Sequence, residues 1–165
     1  MLSLDRVGSK PDVFLEGDFN AEGASFSPDG RYVAYLSQET GQREIYIRPY
    51  PGSSGQVTVS VGGGREPIWA KNGDLFYRSL TGERMFVVRV VTEPTLKVGA
   101  PVQLFQGPFY IPATGSPRSQ YDVTADGQRL LMLTTRLSTD PSATRPRIVI
   151  VQGWFEELRR LVPTN

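Results

Sequence analysis

Three times along the chain a short run with an aromatic or β-branched residue meets an Asp-Gly or Asn-Gly pair and then a strongly apolar run. The copies are "ASF", "SPDG" (27–30), "RYVAY"; "PIW", "AKNG" (70–73), "DLFYR"; and "YDV", "TADG" (124–127), "QRLLMLT". Such a dipeptide supplies the positive backbone angles of a tight hairpin, so each copy predicts two antiparallel strands. Asp29, Gly30, Asn72, Gly73, Asp126 and Gly127 are thereby read as structural turn residues. The glycines at 30, 73 and 127 stand 43 and then 54 residues apart, the longer step holding "GPFYIPATGSPRSQ" at 107–120. This is a repeat with one insertion, and it constrains the chain to an array of equivalent units.

Each unit continues alike. A polar turn ("QETGQ", 38–42; "LTGE", 80–83) leads to an alternating strand ("REIYIRPY", 43–50; "RMFVVRVV", 84–91), then to a fourth short strand ("QVTVS", 56–60; "PVQLFQ", 101–106). Four antiparallel strands in about 43 residues match a propeller blade. Complete blades are expected over 22–60 and 64–106 and a three-stranded last blade over 119–152, with "RPRIVIVQG" as its third strand. Residues 2–7 and 11–17 read as strands of a preceding or partner blade. Trp154, Phe155, Leu158, Leu161 and Val162 fall on one face at helical spacing, with Glu156 and Glu157 early and Arg159 and Arg160 late, which predicts a short amphipathic helix over 154–162 that caps an apolar edge. The expected fold class is all-β: a partial β-propeller of about three four-stranded blades in one domain over 1–165, with that helix at its end.

At "FSPDGRYVAYLS", "IYIRPYPG", "GGGREPIWAKNGDLFY" and "VQGWFEELRRLVP" the chain resembles the WD40-like (PD40) propeller repeat of the TolB type. More narrowly, it resembles the propeller at the C-terminal end of bacterial proteins that begin with a serine/threonine kinase domain. The resemblance runs from about residue 11 to the end and implies a bacterial six-bladed ring used for binding, sensing or scaffolding. It leaves cytoplasmic and extracytoplasmic placement both open. No kinase motif is present: there is no Gly-rich phosphate loop, "HRD" or "DFG". A closed propeller needs at least four blades, so the expected partners are a segment of a larger parent protein or a second copy of the chain. In a two-fold dimer, residues 11–17 of each chain would complete the last blade of the other and remove unpaired edges.

Composition narrows the chemistry. His and Cys are absent, which excludes a Ser-His-Asp triad, a thiolate nucleophile and imidazole or thiolate zinc sites. With 18 basic and 17 acidic residues in no long block, a nucleic-acid footprint is not expected. The apolar runs are too short to span a bilayer and "MLSLDRVGSK" does not read as a signal peptide, so no direct membrane insertion is expected. Asp29, Asp74, Asp122 and Asp126 lie near the hairpins and leave a carboxylate site open as an alternative, but Asp before Gly is favoured by turn geometry alone. Gly62-Gly63-Gly64 precedes a strand, not a phosphate-binding helix, and reads as a tight crossing between blades.

Phe26, Tyr35, Trp69, Phe76 and Tyr77 occupy repeated strand positions and are expected in the core between blades. The residues nominated for binding a protein or peptide are Phe109, Tyr110, Arg118 and Tyr121 around the insertion, with Arg65 and Glu66 beside the glycine crossing. The leading expectation is a noncatalytic binding module without cofactor or metal. The alternatives are a carbohydrate- or lactone-acting enzyme with carboxylates in the channel, and a structural half-propeller without a ligand.

Overall fold

The computed structural model describes residues 13–52, 55–111, 119–134 and 147–152. Among these, all regular structure is antiparallel strand, in three sheets. Sheet 1 is a meander of β1 (Ala21–Phe26), β2 (Tyr32–Ser37), β3 (Glu44–Pro49) and β4 (Val57–Thr58). Sheet 2 repeats it with β5 (Arg65–Trp69), β6 (Asp74–Arg78) and β7 (Arg84–Val91), whose outer side is shared by β8 (Lys97–Val98) and β9 (Val102–Gln106). Sheet 3 holds β10 (Tyr121–Val123), β11 (Arg129–Thr134) and β12 (Arg147–Gln152).

The sheets stack face to face because every strand alternates. The forward face of sheet 1 (Ala34, Leu36, Ile45, Ile47) packs on the back face of sheet 2 (Leu75, Tyr77, Val88, Val90). The forward face of sheet 2 (Phe76, Met85, Val87) packs on Tyr121, Leu130 and Met132 of sheet 3. Being covered on both sides, β6 is buried throughout, whereas β11 alternates buried and exposed. Gly64 sits where the chain passes between sheets 1 and 2; a Cβ there would stand 2.7 Å from Ile45 and 3.0 Å from Tyr77, so only glycine fits.

The three turns share one bracing bond and differ from the tight hairpin expected, the second closing one residue sooner (Ala70 to Asp74) than the others (Ser27 to Tyr32 and Thr124 to Arg129). Gly30, Gly73 and Gly127 take positive φ, but the preceding Asp29, Asn72 and Asp126 do not. Each side chain instead accepts, through Oδ1, the N–H two residues on: Arg31 at 3.1 Å, Asp74 at 3.0 Å and Gln128 at 3.0 Å. The Asp or Asn therefore serves as a hydrogen-bonding brace, and glycine alone supplies the left-handed step.

Residues 13–17, expected as a strand, form none. Phe14 and Leu15 instead pack on Val33, Tyr35 and Tyr46 at the back face of sheet 1, since a strand needs a partner to pair with and packing does not. Phe26, expected in the core, is exposed at the sheet edge, in edge contact with Tyr50. The strand over 2–7 and the helix over 154–162 lie outside the described residues.

Candidate functional site

The residues nominated from the sequence converge on one that was not, Arg78. In both β1 and β5 the register slips, between Glu22 and Ser25 and between Arg65 and Ile68. Each bulge places a residue in the left-handed region, Gly23 at φ +67° and Glu66 at φ +58°. These occupy the same position relative to "SPDG" and "AKNG". Glycine adopts it freely, while Glu66 bears a cost of about 1–2 kcal/mol, so its contacts must hold it there.

Those contacts form a buried joint between sheets 2 and 3. Arg78, 0% exposed, pairs through Nη1 with Glu66 Oε2 at 3.2 Å, and Glu66 is 6% exposed. The same Oε2 accepts the N–H of Gln120 at 3.2 Å, and the Tyr121 hydroxyl donates to the Glu66 carbonyl at 2.6 Å. Arg78 also donates to the carbonyls of Gly82 and Tyr110 and lies 6.0 Å from the Phe109 ring. Arg65 Nε stands 3.1 Å from Glu66 Oε1, a charge contact too bent to be a hydrogen bond. Burial first, and then the Glu66 charge, push the Tyr121 hydroxyl well above its ordinary pKa.

The structure thus brings together Arg65, Glu66, Phe109, Tyr110 and Tyr121. Arg118 lies outside the described residues. Phe109 is half-buried and packs in the second interlayer seam, with a lone bridge to Thr134, while Tyr110 stays exposed. The group is a buried ionic joint that holds the start of the insertion through the Tyr110 carbonyl. Arg78 had a legible signal: in "DLFYR" a cation sits on the register position that Leu36 fills in the first unit.

The hairpin carboxylates are each engaged locally. Asp29 accepts from Ser27 and Arg31, Asp74 pairs with Arg89 at 3.0 Å, Asp122 accepts the Val123 N–H and Asp126 accepts from Thr124. At Asp29 burial raises the carboxyl, but hydrogen bonds from Ser27, Thr92 and Arg31 outweigh it and hold the group well below the usual range. The Thr124 hydroxyl, chiefly, lowers Asp126. No cluster of three or more acidic groups placed to hold a metal exists among the described residues.

One surface is anomalous. The forward face of sheet 3 carries Leu131, Ile148 and Ile150 at 41%, 68% and 58% exposure. Register equates Leu131 paired with Ile150 to Ala34 paired with Ile47 and to Phe76 paired with Val87, all of which are buried. Beside this face lies an open hollow of about 320 Å³ lined by Asp122, Val123, Arg129, Leu131 and Ile150.

The fold and the joint define the class: an all-β chain of stacked antiparallel meanders. No family model matches the chain, nor does any curated protein. Among solved structures, it is similar to TolB from Acinetobacter baumannii, with 14% identity and a TM-score of 0.40 over 88% of this chain and 44% of that one. The chain therefore spans less than half the length of that protein.

Proposed function

We propose that the chain is a β-propeller segment acting as a noncatalytic protein-binding and assembly module, and that a second copy covers the forward face of its third sheet. The carrying observation is the exposure of Leu131, Ile148 and Ile150 where the equivalent faces of sheets 1 and 2 are buried under a following sheet. An apolar sheet face left in water is unfavourable and marks a contact surface. The copy's first sheet ends in an apolar back face of Val33, Tyr35 and Tyr46, overlaid by its own Phe14 and Leu15, which would be the apolar groups presented to that face. Among the described residues β12 also carries no strand on its outer side, whereas β3 carries β4 and β7 carries β8 and β9. Residues 13–17 of the copy would lie beside that edge, and two chains would supply six sheets to one ring.

A noncatalytic reading is favoured by the carboxylates. Asp29 and Asp126 are held ionised by turn hydrogen bonds, the opposite of a carboxyl kept protonated to act as a general acid. Light scattering tests the assembly: the expected mass is twice the 18.3 kDa of the chain, falling to that of one chain in Ile148→Asp/Ile150→Asp with its β-sheet circular dichroism retained. A single-chain mass for the unaltered protein at micromolar concentration sinks it.

A further inference from the structure

The three turns lie side by side along one end of the stack, and their contacts are unequal. Between the second and third turns, the Lys71 N–H donates to the Ala125 carbonyl at 2.9 Å and Asn72 Nδ2 to the Asp126 carbonyl at 3.0 Å. The same two bonds between the first and second turns would run from Pro28 N to the Lys71 carbonyl and from the Asp29 side chain to the Asn72 carbonyl. Neither can form, because proline has no N–H and a carboxylate has no proton to give. Two residue choices in "SPDG" thus remove both donors of the zipper.

What remains is an open cleft of about 420 Å³ walled by Pro28, Asp29, Trp69, Lys71, Asn72 and Arg89, among others. Its carboxylates at Asp29 and Glu93 both pair with Arg31, a single cation bridging the two. Of its cations, Lys71 is exposed with no ion pair among the described residues, and Arg89, 65% exposed, is paired with Asp74 through Nη1. The Trp69 indole N–H is buried with no acceptor. The groups open to a ligand are therefore the carbonyls of Lys71 and Asn72, to which the first turn gives no donor, the Lys71 ammonium and the remaining guanidinium N–H groups of Arg89.

We infer that this cleft binds an acidic peptide segment. Its backbone N–H groups donate to the carbonyls of Lys71 and Asn72, as the second turn's donors do to Ala125 and Asp126, and its carboxylate meets Lys71 and Arg89. This deepens the binding-module reading by naming a ligand class. It shares no residue with the bare face of sheet 3, so a single-chain mass would overturn self-assembly without touching it, and a silent cleft would do the reverse.

The test is an NMR titration of the full chain with an end-capped Gly-Glu-Gly-Glu-Gly peptide. The Trp69 indole resonance is told from that of Trp154, the other tryptophan, by a Trp154→Phe variant. The expected result is a saturable shift of the Trp69 indole and Gly73 amide resonances, weakened about tenfold in Lys71→Ala, as for loss of one charge-assisted bond. The inference is overturned by no saturable shift at millimolar peptide, by an equal response to the glutamine analogue, or by affinity unchanged in Lys71→Ala. Equal binding of inorganic phosphate overturns it as well, since the backbone N–H groups would then play no part.

Discussion

The two seams of this molecule join equivalent sheets by different chemistry. The first, between sheets 1 and 2, has an apolar interior with Leu36 on β2 and Gly23 in the β1 bulge. It has polar contacts at its margins (Arg31 to Glu93 and Thr92, Tyr77 to the Val61 backbone) and, among the described residues, no backbone zipper between its turns. The second, between sheets 2 and 3, carries Arg78 and Glu66 at the equivalent positions and is zipped at the turns by Lys71 and Asn72. A repeat therefore preserves strand register and the alternation of faces while the chemistry of each joint varies. The ionic version concentrates energy in a few groups that depend on each other, so it should fail abruptly, while the apolar version should lose stability in proportion to the atoms removed.

The largest effect follows from breaking that dependence. Glu66→Gln leaves the Arg78 guanidinium buried without its counter-charge, which should cost about 3–5 kcal/mol in urea unfolding. Installing the first seam's residues together, Glu66→Gly with Arg78→Leu, removes the charge and the strained φ at once. It should cost about 2 kcal/mol less than Glu66→Gln despite the donors lost to Gly82 and Tyr110, since a removed pair is better tolerated than a halved one. Equal losses in both variants would mean that the seams do not differ in this way.

Next comes Tyr121, whose hydroxyl reaches the Glu66 carbonyl. Tyr121→Phe leaves that buried carbonyl one donor short and should cost about 1–3 kcal/mol. It also bears on pH. A tyrosine whose folded pKa lies above its unfolded value of about 10 contributes fully below that pH and loses its contribution as pH rises toward the folded value. Tyr35 and Tyr77, each pushed up to about 12 mainly by burial, act in the same direction. Stability should fall between about pH 10 and 12, with tyrosinate absorbance rising together with loss of β-sheet signal, and Tyr121→Phe should soften the fall.

The strands were legible because the hydrophobic alternation and the Asp/Asn-Gly turns report local geometry, and "DLFYR" marks β6 to the residue. The stacking of the sheets was half legible. Alternation says that a strand has two faces, but not which of them finds a neighbour, so the exposed Phe26 and Leu131 look in sequence like the buried Tyr35 and Phe76. The joint escaped for a different reason. Arg78 and Tyr121 stand 12 and 55 residues from Glu66 along the chain, and the three meet only through sheet pairing and stacking. The glycine crossing and the insertion pointed to Glu66 and Tyr121, which are buried in the joint, and to Tyr110, which stays exposed beside it.

A smaller effect separates the turns. Asn72→Asp keeps the brace to the Asp74 N–H but removes the donor to Asp126 and sets a carboxylate beside that of Asp74, for about 1–2 kcal/mol. Part of that loss should be recovered on acidification below the usual carboxylate range, as the new group takes up a proton. Asp29 already has the carboxyl that this variant installs. Because its folded pKa is depressed, its own stabilisation is present above about pH 4 and disappears as pH falls. Acidification should therefore soften the first turn of the unaltered chain while partly rescuing the altered second one, a contrast that hydrogen exchange at Gly30 and Gly73 can read.

The smallest expected change is the one that would make the two seams alike. Pro28→Ala returns an N–H to the position from which Lys71 donates in the second seam. The new bond to the Lys71 carbonyl is worth about 0.5–1.5 kcal/mol, and the unfolded chain regains freedom that proline had removed, worth about 0.4–1 kcal/mol in the other direction. The two nearly cancel, so the unfolding midpoint should move by less than about 1 kcal/mol equivalent. The informative readout is local. If the seams differ only in their residues, the amide that Pro28→Ala introduces should be protected from exchange and acidic-peptide binding should weaken, because the ligand's backbone donor now competes with one built into the turn. Free exchange of that new amide would place the cause of the opening in the backbone separation of the two turns, and the proline would then be a consequence of that spacing.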